Sequence, residues 1–239
     1  MGFERDLNAE VLALVVDIAG GTSDFSVLRL SPERAQSIDR RDDILSTSGV
    51  HVGGTDFDRQ LNIARVMPHF GLGSSTKDGK RQLPVWYFND MATWHKINLL
   101  YTPKIVRDIH SLQREAAEPE KLDRYMHLLE NRSGHRLAAQ VEKAKIELSD
   151  AEETAVRLKE PGLHLEVPVT RGEFETASDD LVRKIRGAIE EALVAAGVTA
   201  EQIDTVVMTG GGAQVPLVRR DSTERFPHAR VVNTDRYGA

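Results

Sequence analysis

The stretch VVDIAGGTSDFSVL, Val15 to Leu28, holds the residue types best suited to chemistry in this chain. An apolar run stops at Asp17, a small-residue turn follows with Gly20, Gly21, Thr22, Ser23 and Asp24, and a second apolar run begins at Phe25. Phosphate oxygens are well held by several backbone N–H groups of one turn. Gly20 and Gly21 let the backbone approach a ligand with no Cβ in the way, and Thr22 adds a hydroxyl donor. Asp17 and Asp24 could orient magnesium-bound waters, because magnesium keeps much of its water shell and takes few carboxylates. The pattern D-x-x-G-G-T-x-D is therefore coherent chemistry for phosphate and Mg2+. It differs from two familiar phosphate loops: a strand follows the turn, the P-loop lysine is missing, and so is G-x-G-x-x-G at a helix start. On these residues alone, a plain hairpin turn with two solvated aspartates fits equally well.

Two other stretches have suggestive spacing. Thr209-Gly210-Gly211-Gly212 follows an apolar run and precedes Pro216, and successive glycines would let a ribose or a flat ligand lie against the backbone. A simple strand-to-helix turn accounts for it as well. In HRLAAQVEKAKIELSD, His135 to Asp150, an apolar stripe of Leu137, Val141, Ala144 and Leu148 marks a helix. Glu142, Lys145 and Ser149 stand at i, i+3 and i+7 on another face. By spacing alone that is an exposed ion pair worth about 0.2–0.5 kcal/mol.

These residues need a scaffold. Val11 to Val16 reads as a buried strand, Phe25 to Leu30 as a second ended by Ser31-Pro32, and Ile44 to Ser48 as a short third. SGVHVGGTDFD, Ser48 to Asp58, is a glycine-rich loop in which Thr55 or Asp56 could cap the next helix. From Met67 to about Tyr101 the periodicity degrades, and Trp86, Tyr87, Phe88, Trp94 and Tyr101 crowd together. They form either a satellite core beneath a long excursion or a partner-binding patch. A helix pair is expected over Ile105 to Ser149, broken near Glu118-Pro119 and Asn131 to Gly134. Thr154 to Lys159 and Leu163 to Val169 alternate around Pro161-Gly162, the pattern of a hairpin. Thr170-Arg171-Gly172-Glu173 is a capping box opening a helix with Phe174, Leu181, Ile185, Ala188 and Ala192 on one stripe and Gly197 at its end. Ile203 to Met208 is another buried strand, and Arg230 to Val232 a last short one.

Composition narrows the function classes. The chain has 239 residues, 40% hydrophobic and 28% charged, as in ordinary globular domains, and no internal repeat. A formal charge of −6 argues against non-specific nucleic-acid binding, which needs basic surface. With no cysteine, disulfides, thiolate catalysis and cysteine-ligated metals are excluded, and a cytoplasmic setting is expected. The opening MGFERDLNAE has no signal-peptide pattern, and no apolar run is long enough to span a bilayer, so no membrane association is expected. Eight scattered histidines form no pair at helical zinc-ligand spacing.

Order and separation make the motifs far more specific than each alone. VVDIAGGTSDFSVL resembles the second phosphate motif of the DnaK-type heat-shock chaperones, members of the actin-like ATPase superfamily. SGVHVGGTDFD resembles their following segment, EKAKIELS (Glu142 to Ser149) the helix that contacts adenosine, VVMTGGGAQVP (Val206 to Pro216) the adenosine motif, and NTDRYGA (Asn233 to Ala239) the lead-in to the final connecting helix. The resemblance covers nearly the whole chain, and the segment 67–132 makes it more similar to a divergent, YegD-like branch.

The fold implied is α/β: lobe II of the ribonuclease H-like actin ATPase fold, a mixed sheet flanked by helices, with a mostly helical inserted subdomain carrying a β-hairpin. Residues 1–55 and 171–239 would form the nucleotide-binding core, and 56–170 the insertion. The resemblance implies ATP or ADP with Mg2+ as ligands. Asp17 and Asp24 would hold the metal through water, and Asp17, Thr22 and Asp24 would serve hydrolysis. Gly20, Gly21 and Thr22 would contact the β- and γ-phosphates. Glu142 and Lys145 would meet the ribose, Ser149 the adenine, Gly210, Gly211 and Gly212 the adenosine, and Asp235 the ribose and purine side. Client proteins, co-chaperones and a missing N-terminal lobe of the same protein are the implied partners.

Three positions depart from the family pattern. Ala19 replaces the first glycine of the phosphate turn, at a cost of about 1 kcal/mol if that position needs positive φ. Ile146 and Gln214 stand where two arginines sandwich adenine in the family, a contribution of about 1–2 kcal/mol. The chain also has one D-x-x-G-G-T turn where the two-lobed ATPases use two. The reading is therefore of a second lobe, inactive by itself, that closes on nucleotide in the full-length protein. A lobe of a sugar kinase on the same fold, or a binding protein with a decayed nucleotide site, remain the alternatives.

Overall fold

A computed structural model describes residues 9–36 and 41–234. Strands β1 (Val11–Ile18), β2 (Ser23–Leu30) and β3 (Ile44–Val50) are followed by helices α1 (Gly54–Leu61), α2 (Trp86–Met91), α3 (Pro103–Glu115), α4 (Pro119–Glu130) and α5 (Gly134–Glu147). The hairpin β4 (Glu153–Glu160) and β5 (Leu163–Thr170) leads into α6 (Arg171–Ala196), then β6 (Thr205–Thr209), α7 (Pro216–Glu224) and β7 (Arg230–Asn233). The expected α/β class with a mixed sheet is the one observed. Among the described residues no helix is long and apolar enough to cross a membrane.

The chain divides into two compact units, with boundaries inside α1 and α6. The first, up to Asp56 and from Asp179 onward, holds a five-stranded sheet in the order β3-β2-β1-β6-β7. β1 pairs antiparallel with β2 and parallel with β6, so the sheet changes sense at its central strand. Alternation along β1 and β2 puts Leu14, Val16, Phe25 and Val27 on one buried face and Ala13, Leu28 and Leu30 on the other, with Val11 and Val15 packed beside them. α6 docks on β3 through a 2.6 Å hydrogen bond from the Ser46 hydroxyl to the Ala192 carbonyl. Ion pairs Arg186–Asp221 and Arg225–Glu190 join it to α7 and to the residue that ends α7.

Strand ends differ from expectation. Ser23 and Asp24 already belong to β2, opposite Ile18 and Asp17, so the turn shrinks to four residues, Ala19 to Thr22. The reason is long-range: Ser23 is fully buried and its hydroxyl donates to the Val52 carbonyl at 2.5 Å. β3 runs on to Val50 because Gly49 and Val50 pair with Asp24 and Ser23.

The second unit is Phe57–Ser178. After α1 the chain widens into a π turn at Asn62–Val66 and then tightens into a 3-10 turn at Met67–Phe70. The expected helix pair is three helices, α3, α4 and α5, with breaks where the prolines and Gly134 predict them. The hairpin turns at Gly162, whose φ is +86°. The capping box at α6 closes in both directions: Glu173 accepts from the Thr170 N–H at 2.9 Å, and the Thr170 hydroxyl accepts from the Glu173 N–H at 3.2 Å. Phe57 and Phe174, both buried, meet edge to face with centroids 6.3 Å apart.

The aromatic excursion divides its residues between core and surface. Phe88 is fully buried against Tyr125, and the Tyr125 hydroxyl donates to the Tyr87 carbonyl at 2.7 Å. Trp86 and Trp94 remain 43% and 51% exposed. Trp94 packs edge-on against His135 at the start of α5.

Candidate functional site

The Ala19–Thr22 turn lies at the carboxyl end of β1, the edge where open α/β sheets bind ligands. It is exposed throughout and closed by the Ala19 N–H donating to the Thr22 carbonyl at 3.0 Å. Among the described residues, the N–H groups of Gly20, Gly21 and Thr22 and the Thr22 hydroxyl have no hydrogen-bond partner. Donors left free in one short turn are what an anion needs. A Cβ built on Gly20 or Gly21 would meet nothing within 4 Å, and neither residue has positive φ. Neither the protein's own packing nor its backbone thus demands glycine there. The vacated space suits a ligand pressed against the backbone, and phosphate fits it. Ala19 is not in the left-handed region either, so the strain considered for its side chain does not arise.

Asp17 and Asp24 flank the turn as direct cross-strand partners. Side chains of such a pair point to the same side of the sheet, and like charges there repel. Two adjacent carboxylates beside free amides suit a hydrated divalent cation shared with a phosphate.

A second loop holds the turn. The Gly54 and Thr55 N–H groups donate to the Ala19 and Gly20 carbonyls, both at 2.9 Å, and the Thr55 hydroxyl donates to the same Gly20 carbonyl at 2.8 Å. Carbonyls, which would repel phosphate, are thereby engaged on the loop side. Gly53 is required by contact: its Cβ would fall 2.4 Å from the Gly20 oxygen. Of the two expected caps, Asp56 acts from the third helical position, reaching back to accept from the Gly53 N–H at 2.9 Å, whereas Thr55 turns away and donates to the Ala19–Thr22 turn. The spacing rules did not reveal this clamp. Its signal was the repeated G-G-T, at Gly20 to Thr22 and Gly53 to Thr55.

The TGGG loop joins the same edge, since Asp17 pairs with Thr209 across the parallel β1–β6 ladder. Gly210 has φ +83°, and a Cβ on it would lie 2.3 Å from the Ile18 carbonyl oxygen. A Cβ on Gly212 would lie 2.3 Å from Ile18 Cγ2. Two of the three glycines therefore serve packing onto β1, and Gly211 alone is open. The first unit thus gathers Asp17, Gly20, Gly21, Thr22, Asp24, Gly210, Gly211 and Gly212 along one sheet edge. Asp235 lies outside the described residues.

Glu142, Lys145 and Ser149 belong to the second unit, at α5 and the turn after it. Glu142 is exposed and Ser149 half-buried. Lys145 is 9% exposed, with its ammonium 2.8 Å from Asp58 Oδ1 on α1. Spacing could not show that the lysine turns toward α1, because the pairing depends on how two helices pack. Ile146 is 44% exposed.

The family model "Hsp70 protein" matches residues 109–237, more than half of the chain. The chain belongs to the Hsp70 family. Among its Hsp70 relatives, chaperone protein DnaK of Deinococcus deserti is 28% identical over 228 residues, 92% of this chain and 27% of the relative. Chaperone protein DnaK of Thermotoga neapolitana is 31% identical over 226 residues, 91% of this chain and 28% of the relative. The chloroplastic heat shock 70 kDa protein 7 of Arabidopsis thaliana is 30% identical over 240 residues, 96% of this chain and 25% of that Hsp70. This chain therefore spans about a quarter of the length of the curated Hsp70 relatives it matches. Hsp70 membership leaves the compartment open, since one of these relatives is chloroplastic.

Proposed function

We propose that this chain is the second lobe of a chaperone nucleotide-binding domain and that its Ala19–Thr22 turn holds the phosphates of magnesium-bound ATP or ADP. The observation that carries the reading is the exposed turn with three unpartnered N–H groups and open space beside Gly20 and Gly21. Asp17 and Asp24 hold the metal through water, and the Thr22 hydroxyl donates to a phosphate oxygen. Gly211 offers open backbone to the nucleoside. Glu142, Lys145, Ser149 and Asp235 are assigned to ribose and base on the family resemblance. Membership of the Hsp70 family supports these assignments.

Magnesium, when bound, neutralises phosphate charge, and this chain's residues position it. The turn and the two aspartates beside it contribute amides, a hydroxyl and two carboxylates, none of them cationic. Phosphoryl transfer depends on positioning and on balancing charge around the transferred group. We assign the balancing cations to a first lobe of the same protein, so hydrolysis requires lobe closure and this chain alone is inactive. Client and co-chaperone binding belong to that full-length protein, in a cytoplasmic setting. Exposed Ile146, with Gln214, replaces a stacking pair of arginines and weakens adenine preference.

Calorimetric titration of the full-length protein with ATP, ADP and GTP, with and without magnesium, tests the reading. Magnesium-dependent binding that is lost in Asp17→Asn supports it. Absence of nucleotide binding overturns it in favour of a decayed site. Steady phosphate release by this chain alone overturns the lobe assignment, and sugar-stimulated ATPase activity of the full-length protein turns it toward a kinase.

A further inference from the structure

The turn that follows α5 is held by one side chain from the start of α6. The Arg171 guanidinium donates from Nε to the Leu148 carbonyl at 2.8 Å and from Nη2 to the Ala151 carbonyl at 3.0 Å and the Ser149 carbonyl at 3.4 Å. Its Nη1 lies 2.5 Å from Glu152 Oε1. Its own N–H donates to the Glu152 carbonyl at 2.8 Å. A helix leaves its last carbonyls without intrahelical partners, and a cation there also meets the negative end of the helix dipole. Arg171 satisfies both needs. Its side chain is 20% exposed, so its hydrogen bonds are partly shielded from water.

Ser149 sits inside this grip. Its N–H donates to the Ile146 carbonyl at 3.0 Å, and its carbonyl accepts from Arg171. With both ends of its peptide backbone tied, the hydroxyl moves only by rotation about its own χ1. A planar fork contacting several carbonyls fixes a turn in a way that a lysine point charge cannot.

We propose that Arg171 is a positioning residue that fixes the turn carrying Ser149 and thereby sets how strongly a purine base is read. This rests on the nucleotide-binding reading above. On that reading Ser149 meets the base while the phosphates are held by the Ala19–Thr22 turn, so the two contributions separate by ligand.

The test is a double-mutant cycle in the full-length protein with Arg171→Lys and Ser149→Ala, titrated with ATP, GTP and inorganic tripolyphosphate, each with magnesium. Arg171→Lys is expected to weaken ATP by about 3- to 10-fold and to narrow the ATP-to-GTP preference. Tripolyphosphate affinity stays unchanged, and in the Ser149→Ala background Arg171→Lys adds less than about a further 2-fold loss. If Arg171→Lys unfolds the domain, Glu152→Gln, at a side chain 81% exposed, loosens the same grip and shifts ATP affinity in the same direction. Equal losses in both Ser149 backgrounds, or parallel loss of tripolyphosphate, make Arg171 a general brace and overturn the proposal. Unchanged ATP affinity in Ser149→Ala removes the base contact, and the proposal with it, while leaving phosphate binding intact. No binding of any of the three by the wild-type protein overturns the nucleotide reading itself.

Discussion

Asp17 and Asp24 stand directly opposite each other across the β1–β2 ladder, one on each side of the four-residue turn. Like charges so placed cost about 0.2–1 kcal/mol in the absence of a cation. Asp24→Asn is therefore expected to raise the melting temperature of the metal-free protein by about 1–4 °C. It should also reduce the additional rise produced by magnesium with nucleotide. Differential scanning fluorimetry with and without magnesium and ADP reads both; a lower metal-free melting temperature would contradict the repulsion argument.

Gly53 and Gly20 make opposite demands. Gly53→Ala forces a methyl to 2.4 Å from the Gly20 carbonyl oxygen, backbone that cannot swing away. It should destabilise by about 1–3 kcal/mol. Gly20→Ala meets nothing in the protein, so its stability should stay within about 0.5 kcal/mol of wild type. The same methyl enters the space assigned to phosphate and should weaken magnesium–ATP about 10-fold, or about 1.4 kcal/mol. Denaturant melts and titration, run on both variants, separate the two effects.

Glu160 links α4, α5 and the β4–β5 hairpin. Its carboxylate accepts from the Ser133 hydroxyl at 2.7 Å, lies 2.9 Å from His127 Nε2, and has Arg136 Nε 2.9 Å from its other oxygen. Burial pushes its pKa up, but Ser133, His127 and Arg136 outweigh burial and hold it below the ordinary 4.5. A depressed carboxylate contributes stability in full above the unfolded pKa and loses it as pH falls through the folded one. Glu160→Gln should therefore cost about 1–3 kcal/mol at neutral pH. That gap should close as pH falls through the Glu160 folded pKa. Urea melts between neutral and acid pH check it, and a gap independent of pH would refute it.

Phe88 and Trp86 are near neighbours with different burdens. Phe88→Ala opens a cavity in a fully buried position and should cost about 3–5 kcal/mol. Trp86 is 43% exposed and stacks on Tyr87 at 3.8 Å, so Trp86→Ala should cost less than about 1.5 kcal/mol. Thermal melts of the two variants give the ranking; near-equal losses would place Trp86 in the core.

Much of the candidate site's local structure was legible because its signals are local. Gly20, Gly21 and Thr22 announce a permissive turn, and Thr170 with Glu173 announces a helix start, since both motifs act within a few residues. Strand pairing is not local: Ser23 joins β2 because Val52 receives its hydroxyl. Lys145 reads as solvent-facing by helical spacing, yet a carboxylate on α1 meets its ammonium.

Periodicity, glycine placement and motif order settled the α/β class, the hairpin, the long helix and the location of the glycine turn after β1. They could do so because each depends on the period of one element or on the chemistry of adjacent residues. Tertiary packing alone decided which glycines are there for the protein and which leave space beside them. Gly53, Gly210 and Gly212 fill contacts with Gly20 and Ile18, whereas Gly20, Gly21 and Gly211 face open space. That difference is set by atoms distant in sequence, and no single stretch of residues carries it.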